Sequence, residues 1–195
     1  LHYQDHLSSG PYGDKSTTVG RAVEGVDILI VDRNGKPVPP NTVGEITVRG
    51  ANVMQGYWKN PGATAATIRE GRLHTGDLGS MDEDGFVTLV DRIKDMVISG
   101  GENVYCLEVE NVLTRLHGVL TAAVIGLPDP DLGERVHAIV HHTHESPLQN
   151  GTIEDHCRQY LAGYKVPRSM ELTTDPLPLT SANKIDKRAL KERYC

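Results

Sequence analysis

The pattern of hydrophobic residues changes at residues 92–95, and this change limits the fold more than any other feature of the sequence. Before it, apolar β-branched runs such as 26–31 and 86–90 are separated by turn-forming Gly, Pro and Asn residues. Short strands with turn signals between them are typical of a small barrel or sandwich. We therefore predict a small β-barrel-like subdomain over residues 1–91.

Helices and strands alternate after the change. Val109, Val112 and Leu113 recur at the spacing of one helix face, which predicts an amphipathic helix. The elements predicted after it are strands at 119–125 and 136–140 with a loop at 127–133 between them, a helix capped by Thr152, and a short helix from Asp186. This order favours a compact α+β domain over residues 92–195, and hence a mixed fold class for the chain.

The composition argues against several classes of protein. A net charge of -6 and a pI near 5.8 do not provide the basic surface on which nucleic-acid binding depends. No apolar run is long enough to span a bilayer, and the first residues lack the charged start and apolar core of a signal peptide. Because the chain begins without Met, we expect a truncated or cleaved product.

Cysteine and histidine residues give no sign of a metal site. Cys106, Cys157 and Cys195 form an odd and widely spaced set, so we predict free thiols in a reducing compartment, with the cytoplasm as the default. Three histidines lie within residues 141–144, in or just beyond a predicted strand. No second spaced cluster accompanies them, so we predict that they face solvent and bind no metal.

Short polar motifs carry the functional information. In chain order they are Leu73-His74-Thr75-Gly76-Asp77, Asp91-Arg92-Ile93-Lys94-Asp95, Ser99-Gly100-Gly101-Glu102-Asn103 and Asn183-Lys184-Ile185. A carboxylate that follows Gly can accept hydrogen bonds from two vicinal hydroxyls, and a guanidinium fork suits ribose oxygens and phosphates. Adjacent glycines allow a ligand to approach the backbone closely. Taken singly, however, each motif also fits a simple turn or a solvated surface side chain.

Together the motifs resemble the closing part of the adenylate-forming (AMP-binding) enzymes, of the acyl-CoA synthetase or fatty-acid–CoA ligase type. The resemblance covers almost the whole chain. It implies that residues 1–91 are the last, β-rich subdomain of the AMP-binding large domain, and that residues 92–195 are the mobile C-terminal α+β domain. It also implies a two-step reaction, in which a carboxylic acid and ATP, with Mg²⁺, form an acyl-adenylate that CoA converts to a thioester.

The resemblance assigns roles in nucleotide chemistry. Asp77 matches the residue that grips the ATP ribose, and Arg92 matches one that orients the nucleotide, although Asp91 stands where Gly is usual. Lys94 matches the hinge about which the C-terminal domain rotates between the two half-reactions. Lys184 matches the lysine that reaches the carboxylate and the α-phosphate during adenylation.

Two further segments are implied to contact CoA. Gly100 and Gly101 match the loop that lies along the pantetheine tunnel during thioester formation, with Cys106 following where Pro is usual. Lys165 lies in a segment similar to one near the CoA phosphates, although a solvated surface lysine is the simpler interpretation. Near the end of the chain, Asn183 replaces a customary Gly, a change that the tolerance of Asn for the left-handed region allows.

Some parts of such an enzyme have no match in the sequence. The Ser/Thr/Gly-rich loop that holds the ATP phosphates is absent, as is the aromatic-Gly-x-Thr-Glu motif that normally precedes this region. We therefore expect a missing N-terminal part of the same enzyme and an isolated chain that is inactive. The alternatives are an adenylation domain that loads a carrier protein, and a non-enzymatic fragment. The sequence of Ser99–Tyr105 resembles that of the CoA ligases more than that of peptide-synthetase adenylation domains.

Overall fold

The computed structural model describes residues 15–144 and 148–194. Contacts divide the chain into two units, residues 1–93 and 94–195. The first unit is β-rich and the second combines helices with a sheet, so the predicted mixed fold class is confirmed.

The first unit is built on one antiparallel sheet. Its elements are β1 (Val26–Val31), β2 (Gly44–Gly50), α1 (Pro61–Thr67), β3 (Ile68–Arg69), β4 (Arg72–Met81) and β5 (Val87–Arg92). The strand order is β1-β2-β4-β3, and β5 also pairs with β4, so that the sheet curls into a half-barrel. The long strand β4 therefore borders three others, and residues on it can be positioned from both sides.

A small apolar core lies on one face of this sheet. Ile30, Ile46 and Val87 are buried there. Gly79 is required beside them, because a Cβ at this position would lie 2.6 Å from the Thr88 carbonyl oxygen and 2.8 Å from Ile46 Cδ1. The absence of a side chain on β4 thus allows β5 and β2 to approach it closely.

The second unit contains a five-stranded sheet and three α-helices within the described residues. Its elements are β6 (Val97–Ser99), β7 (Glu102–Val104), α2 (Cys106–Leu113), β8 (Val119–Asp129), β9 (Gly133–His142), α3 (Asn150–Tyr160), a 3₁₀ turn (Gly163–Lys165), β10 (Ser169–Thr173) and α4 (Lys187–Lys191). Strand β9 is central: it pairs antiparallel with β8 and with the end of β6, and parallel with β10.

Alternate residues of β8 and β9 face two separate cores. Val124, Val136 and Ala138 pack with the buried residues of α2 and α3. Ile125 and Ile139, on the opposite face, pack with Leu190 of α4. The period-two alternation of strand side chains thus places α2 and α3 over one face of the sheet and α4 over the other.

The structure corrects two predictions of element boundaries. The loop predicted at 127–133 is largely strand, because β8 continues to Asp129 and Pro128 pairs in register with Glu134. Pro is tolerated there because β8 is an edge strand in the described part of the sheet. Thr152 does not cap α3, which begins at Asn150. Capping contributes only about 1 kcal/mol, less than the burial of the Ile153 face that docks this helix.

The helices of the described residues are short, and the longest, α3, has 11 residues. None of them is long and apolar enough to cross a membrane.

Candidate functional site

A bulge in β4 presents Asp77. Residues 75–77 of this strand lie opposite a single residue of β2, Ile46, so two extra residues are accommodated. Gly76 adopts φ 74°, in the left-handed region that Gly enters without steric cost. The bulge explains why a Thr-Gly-Asp sequence interrupts an otherwise regular strand.

Side chains satisfy the backbone groups that the bulge removes from the strand ladder. The Thr75 hydroxyl donates to the Ile46 carbonyl at 2.8 Å and accepts the Asp77 N–H at 3.1 Å. Glu45 Oε1 accepts the Gly76 N–H at 3.2 Å. Glu45 Oε2 lies 2.7 Å from His74 Nδ1, and both of these side chains are largely buried. Buried backbone N–H groups need such partners, so these contacts fix the shape of the bulge.

Asp77 meets Arg92 across the β4–β5 pair. The two residues are in register, and Arg92 Nε lies 2.8 Å from Asp77 Oδ1. The Arg92 side chain is 53% exposed and that of Asp77 34%, so the pair lies at the surface of the first unit. Asp91 is buried, and its Oδ1 accepts the Arg92 N–H at 2.7 Å. The structure therefore brings two of the predicted site residues into direct contact.

Lys94 lies in the turn that follows β5. It is exposed and is the first residue of the second unit.

Gly100 and Gly101 form the turn between β6 and β7. Their φ angles are 60° and 87°, and positive φ at both central residues is what a tight type I′ hairpin turn requires. The Gly100 N–H donates to the Leu132 carbonyl at 2.9 Å, and a Cβ at Gly100 would lie 3.4 Å from Leu132 Cδ2. The loop between β8 and β9 thus braces this turn. Sequence reasoning missed Leu132, since only the pairing of β6 with β9 brings it there.

Lys165 has a specific partner rather than a solvated side chain. Its ammonium lies 2.7 Å from both carboxylate oxygens of Glu108, and its side chain is only 17% exposed. The turn that carries Lys165 packs against β7, which directly follows the Gly100–Gly101 turn. Glu108 therefore already neutralises the charge that a phosphate would use.

Lys184 lies near the tip of a hairpin, residues 178–186, which we call the Lys184 hairpin. Its backbone is closed by a bridge between Leu179 and Ile185 and by the Thr180 N–H, which donates to the Lys184 carbonyl at 2.7 Å. Asn183 adopts φ 58°, so it takes the left-handed conformation that its side chain tolerates. Lys184 is exposed. Within the described residues its ammonium has no ion-pair partner.

Groups suited to metal binding are lacking in the part of the chain that the structure describes: no cluster of three or more His, Cys, Asp or Glu side chains could hold an ion. Cys106 and Cys157 are buried thiols that form no disulfide within the described residues, and burial raises the pKa of the Cys157 thiol to about 11. Cys195 lies outside the described residues.

Comparisons with known proteins agree with the family that the motifs indicated. Profiles of two family domains match the chain, "AMP-binding enzyme" over residues 6–58 and "AMP-binding enzyme C-terminal domain" over residues 108–184. The chain belongs to the AMP-binding, adenylate-forming enzyme family, as the resemblance predicted.

Similar proteins include several CoA ligases. A feruloyl-CoA synthase of Amycolatopsis sp is 48% identical over 168 residues, which are 86% of this chain and 34% of that protein. A long-chain-fatty-acid–CoA ligase of Yersinia pestis is 41% identical over 188 residues, which are 95% of this chain and 33% of that protein. The chain thus spans about a third of the length of these relatives.

Solved structures give the same result. ATP-bound MatB from Rhodopseudomonas palustris superposes with a TM-score of 0.86 at 37% identity, covering 91% of this chain and 36% of that one. The amide bond synthetase McbA from Marinactinospora thermotolerans superposes with a TM-score of 0.84 at 39% identity. The match covers 92% of this chain and 37% of that one.

Proposed function

We propose that the chain is the C-terminal part of an ATP-dependent acyl-CoA ligase. Residues 1–91 are then the last subdomain of the AMP-binding large domain, and residues 92–195 are the mobile C-terminal domain, with Lys94 as the hinge. The observation that carries the proposal is the Asp77–Arg92 contact at 2.8 Å, made where a bulge interrupts the pairing of β4 with β2. The Cys157 thiol, which forms no disulfide within the described residues, further supports a cytoplasmic location.

In the first half-reaction a carboxylate oxygen attacks the α-phosphorus of ATP, and pyrophosphate leaves. Asp77 accepts hydrogen bonds from the ribose hydroxyls, and Arg92 orients the nucleotide beside it. The exposed Lys184 ammonium offsets negative charge that accumulates between the carboxylate and the α-phosphate. Mg²⁺ binds to proteins through few carboxylates together with substrate phosphates, so it would enter with ATP. No metal ligand is assigned to the described residues.

In the second half-reaction the CoA sulfur attacks the acyl carbonyl carbon, and AMP leaves. Gly100 and Gly101 allow pantetheine to pass close to the backbone, since neither carries a side chain. Lys165 would contact a CoA phosphate by exchanging its present partner, Glu108. The Gly100–Gly101 turn is therefore the stronger of the two CoA assignments.

The test uses the full-length protein encoded by the reading frame that contains this sequence. Acid-dependent exchange of pyrophosphate into ATP, measured with fatty and aromatic acids, reports adenylation. AMP release on addition of CoA, with the thioester identified by mass, reports the second step. We expect both with at least one acid. Transfer to a carrier protein but not to CoA would support the adenylation-domain alternative. Absence of exchange with every acid would support the non-enzymatic one.

A further inference from the structure

The position of α4 determines the position of the Lys184 hairpin. Asp186 closes the hairpin, since its N–H donates to the Pro178 carbonyl at 2.8 Å. The Asp186 side chain also caps α4 by accepting the Ala189 N–H at 3.0 Å. The hairpin and the helix therefore share a residue, and no flexible segment separates them.

Helix α4 depends on tertiary contacts. It has five residues, whereas isolated helices need about 12–15 residues to be even marginally stable in water. A buried side chain and an ion pair hold it: Leu190 is fully buried against β8 and β9, and Lys187 Nζ lies 2.7 Å from Glu110 Oε1. The Lys187 and Glu110 side chains are only 18% and 13% exposed, so water screens this ion pair weakly.

Glu110 is itself fixed by the sheet. It belongs to α2, on the other face from α4, and its Oε1 also accepts the N–H of Val124 at 2.8 Å. Val124 lies on β8, the edge strand of the described sheet. The carboxylate therefore sits at the sheet edge, where it links α2, β8 and α4 through one oxygen atom.

We propose that Glu110, acting through Lys187, is a positioning residue for Lys184 in the adenylation step. The inference rests on the function proposed for Lys184. Glu110 provides a rigid reference point to which the start of α4 is bound, and the Lys184 hairpin keeps its orientation because it leads into that start. Sequence reasoning missed this link, since Glu110 and Lys187 are far apart along the chain.

The neighbouring pair on α4 offers a matched control. Arg188 Nε lies 3.0 Å from Glu192 Oε1, but these side chains are 89% and 64% exposed and belong to the same helix. Exposed pairs of this kind contribute little to stability. A charge lost at Arg188 should therefore leave the Lys184 hairpin in place.

The experiment compares the two half-reactions in the full-length protein. Glu110→Gln removes the charge but keeps an oxygen for the Val124 N–H, Lys187→Met removes the ammonium, and Lys187→Arg preserves the positive charge. We expect the first two variants to lower adenylation about 10- to 100-fold, because a misplacement on the order of 1 Å costs up to about 100-fold. Thioester formation from supplied acyl-adenylate should stay near the wild-type rate.

Reference variants set the scale. Lys184→Ala should lower adenylation at least as far as Glu110→Gln does, Lys187→Arg should retain most of it, and Arg188→Gln should match the wild type. Hydrogen exchange gives a readout that needs no activity. In Glu110→Gln the amides of Thr180 and Asp186 should exchange faster, while the Leu161 amide at the end of α3 stays protected.

Unchanged adenylation in Glu110→Gln and Lys187→Met would overturn the inference. Equal loss of both half-reactions with faster exchange throughout residues 94–195 would also overturn it, because Glu110 would then merely stabilise the fold. Inactivity of the wild-type protein in both half-reactions would contradict the proposed function instead. The exchange comparison would then decide by itself whether Glu110 holds the hairpin.

Discussion

At the scale of single residues, Glu45 shapes the bulge that presents Asp77. Its carboxylate contacts the His74 ring at 2.7 Å and the Gly76 N–H at 3.2 Å. In the sequence it is one polar residue of an alternating strand, and nothing nearby distinguishes it from a solvent-exposed glutamate. Its role depends on which residues of β4 lie opposite, and strand register is set by pairing and turns across the sheet.

Removal of the Glu45 carboxylate should weaken the first unit. Glu45→Ala leaves the Gly76 N–H and the His74 ring without their acceptor in a largely buried place, which should lower the free energy of unfolding by about 1–3 kcal/mol. Glu45→Gln should cost less, since its amide oxygen can still accept one hydrogen bond. Urea denaturation of the purified chain measures both values.

Glu83→Ala is the control, because Glu83 is exposed and surface substitutions usually change stability by no more than about 0.5 kcal/mol. Equal effects of Glu45→Ala and Glu83→Ala would show that the Glu45 contacts do not stabilise the bulge.

At the scale of secondary-structure elements, the sequence predicted those strands and helices whose formation depends on neighbouring residues in the chain. The β-branched run 26–31 is β1, and Asp186 begins the last helix as its cap. The extension of β8 to Asp129 was not predicted, because Pro128 reads as a turn residue unless its edge position is known. The same limit applies to the site: the motifs pointed to Asp77 and Arg92, but the partners Glu108 and Glu110 follow from tertiary packing.

Two Gly-to-Ala changes in the first unit should affect the free energy of unfolding differently. In Gly79→Ala the new methyl group would lie 2.6 Å from a backbone carbonyl oxygen of β5, so β4 and β5 must separate. We expect a loss of about 1–3 kcal/mol. In Gly62→Ala, within α1, the nearest atom is 3.9 Å away, so a higher helix propensity should leave stability unchanged or raise it by up to about 1 kcal/mol. Thermal or urea unfolding compares them. A Gly79→Ala variant as stable as the wild type would contradict the close approach described for this sheet.

At the scale of the whole molecule, the chain contains residues that we propose for both half-reactions, but it spans only about a third of the length of its relatives. Because the loop that holds the triphosphate has no match in it, the purified chain should catalyse no acid-dependent pyrophosphate exchange. The full-length protein, assayed in parallel, is the positive control. Exchange by the chain alone would mean that its own residues hold the triphosphate.

The second unit should lose stability in mild acid. His137 is 5% exposed, its Nδ1 lies 2.8 Å from the Ser169 hydroxyl, and its Nε2 has no hydrogen-bond partner among the described residues. Burial lowers the pKa of this imidazole below its usual 6.5, Glu171 opposes that shift, and Arg135 adds to it. In the unfolded chain this imidazole binds a proton at a higher pH than it does in the folded chain. Protonation therefore favours unfolding, so the free energy of unfolding should fall as the pH drops below about 6.5.

Denaturation at a series of pH values tests this expectation. His137→Gln, which can still bond Ser169, should flatten the dependence, whereas His117→Gln, at an exposed position, should not. The pKa values of Asp27 and Asp82 are lowered, so the stability that their ionised carboxylates contribute is lost only at more acidic pH. The effect of His137 can therefore be distinguished from the effect of these carboxylates. An unaltered profile in His137→Gln would assign the acid sensitivity to other groups.

The open side of β8 has a consequence for solubility. The unpaired N–H groups of an edge strand can bond to strands of other molecules, and this pairing starts aggregation. Here Glu110 occupies the Val124 N–H, and Pro128 has none to offer. The Glu110 carboxylate, which links α2 and α4, thereby also hinders aggregation through this strand. A variant in which it no longer accepts the Val124 N–H should precipitate more readily at high concentration.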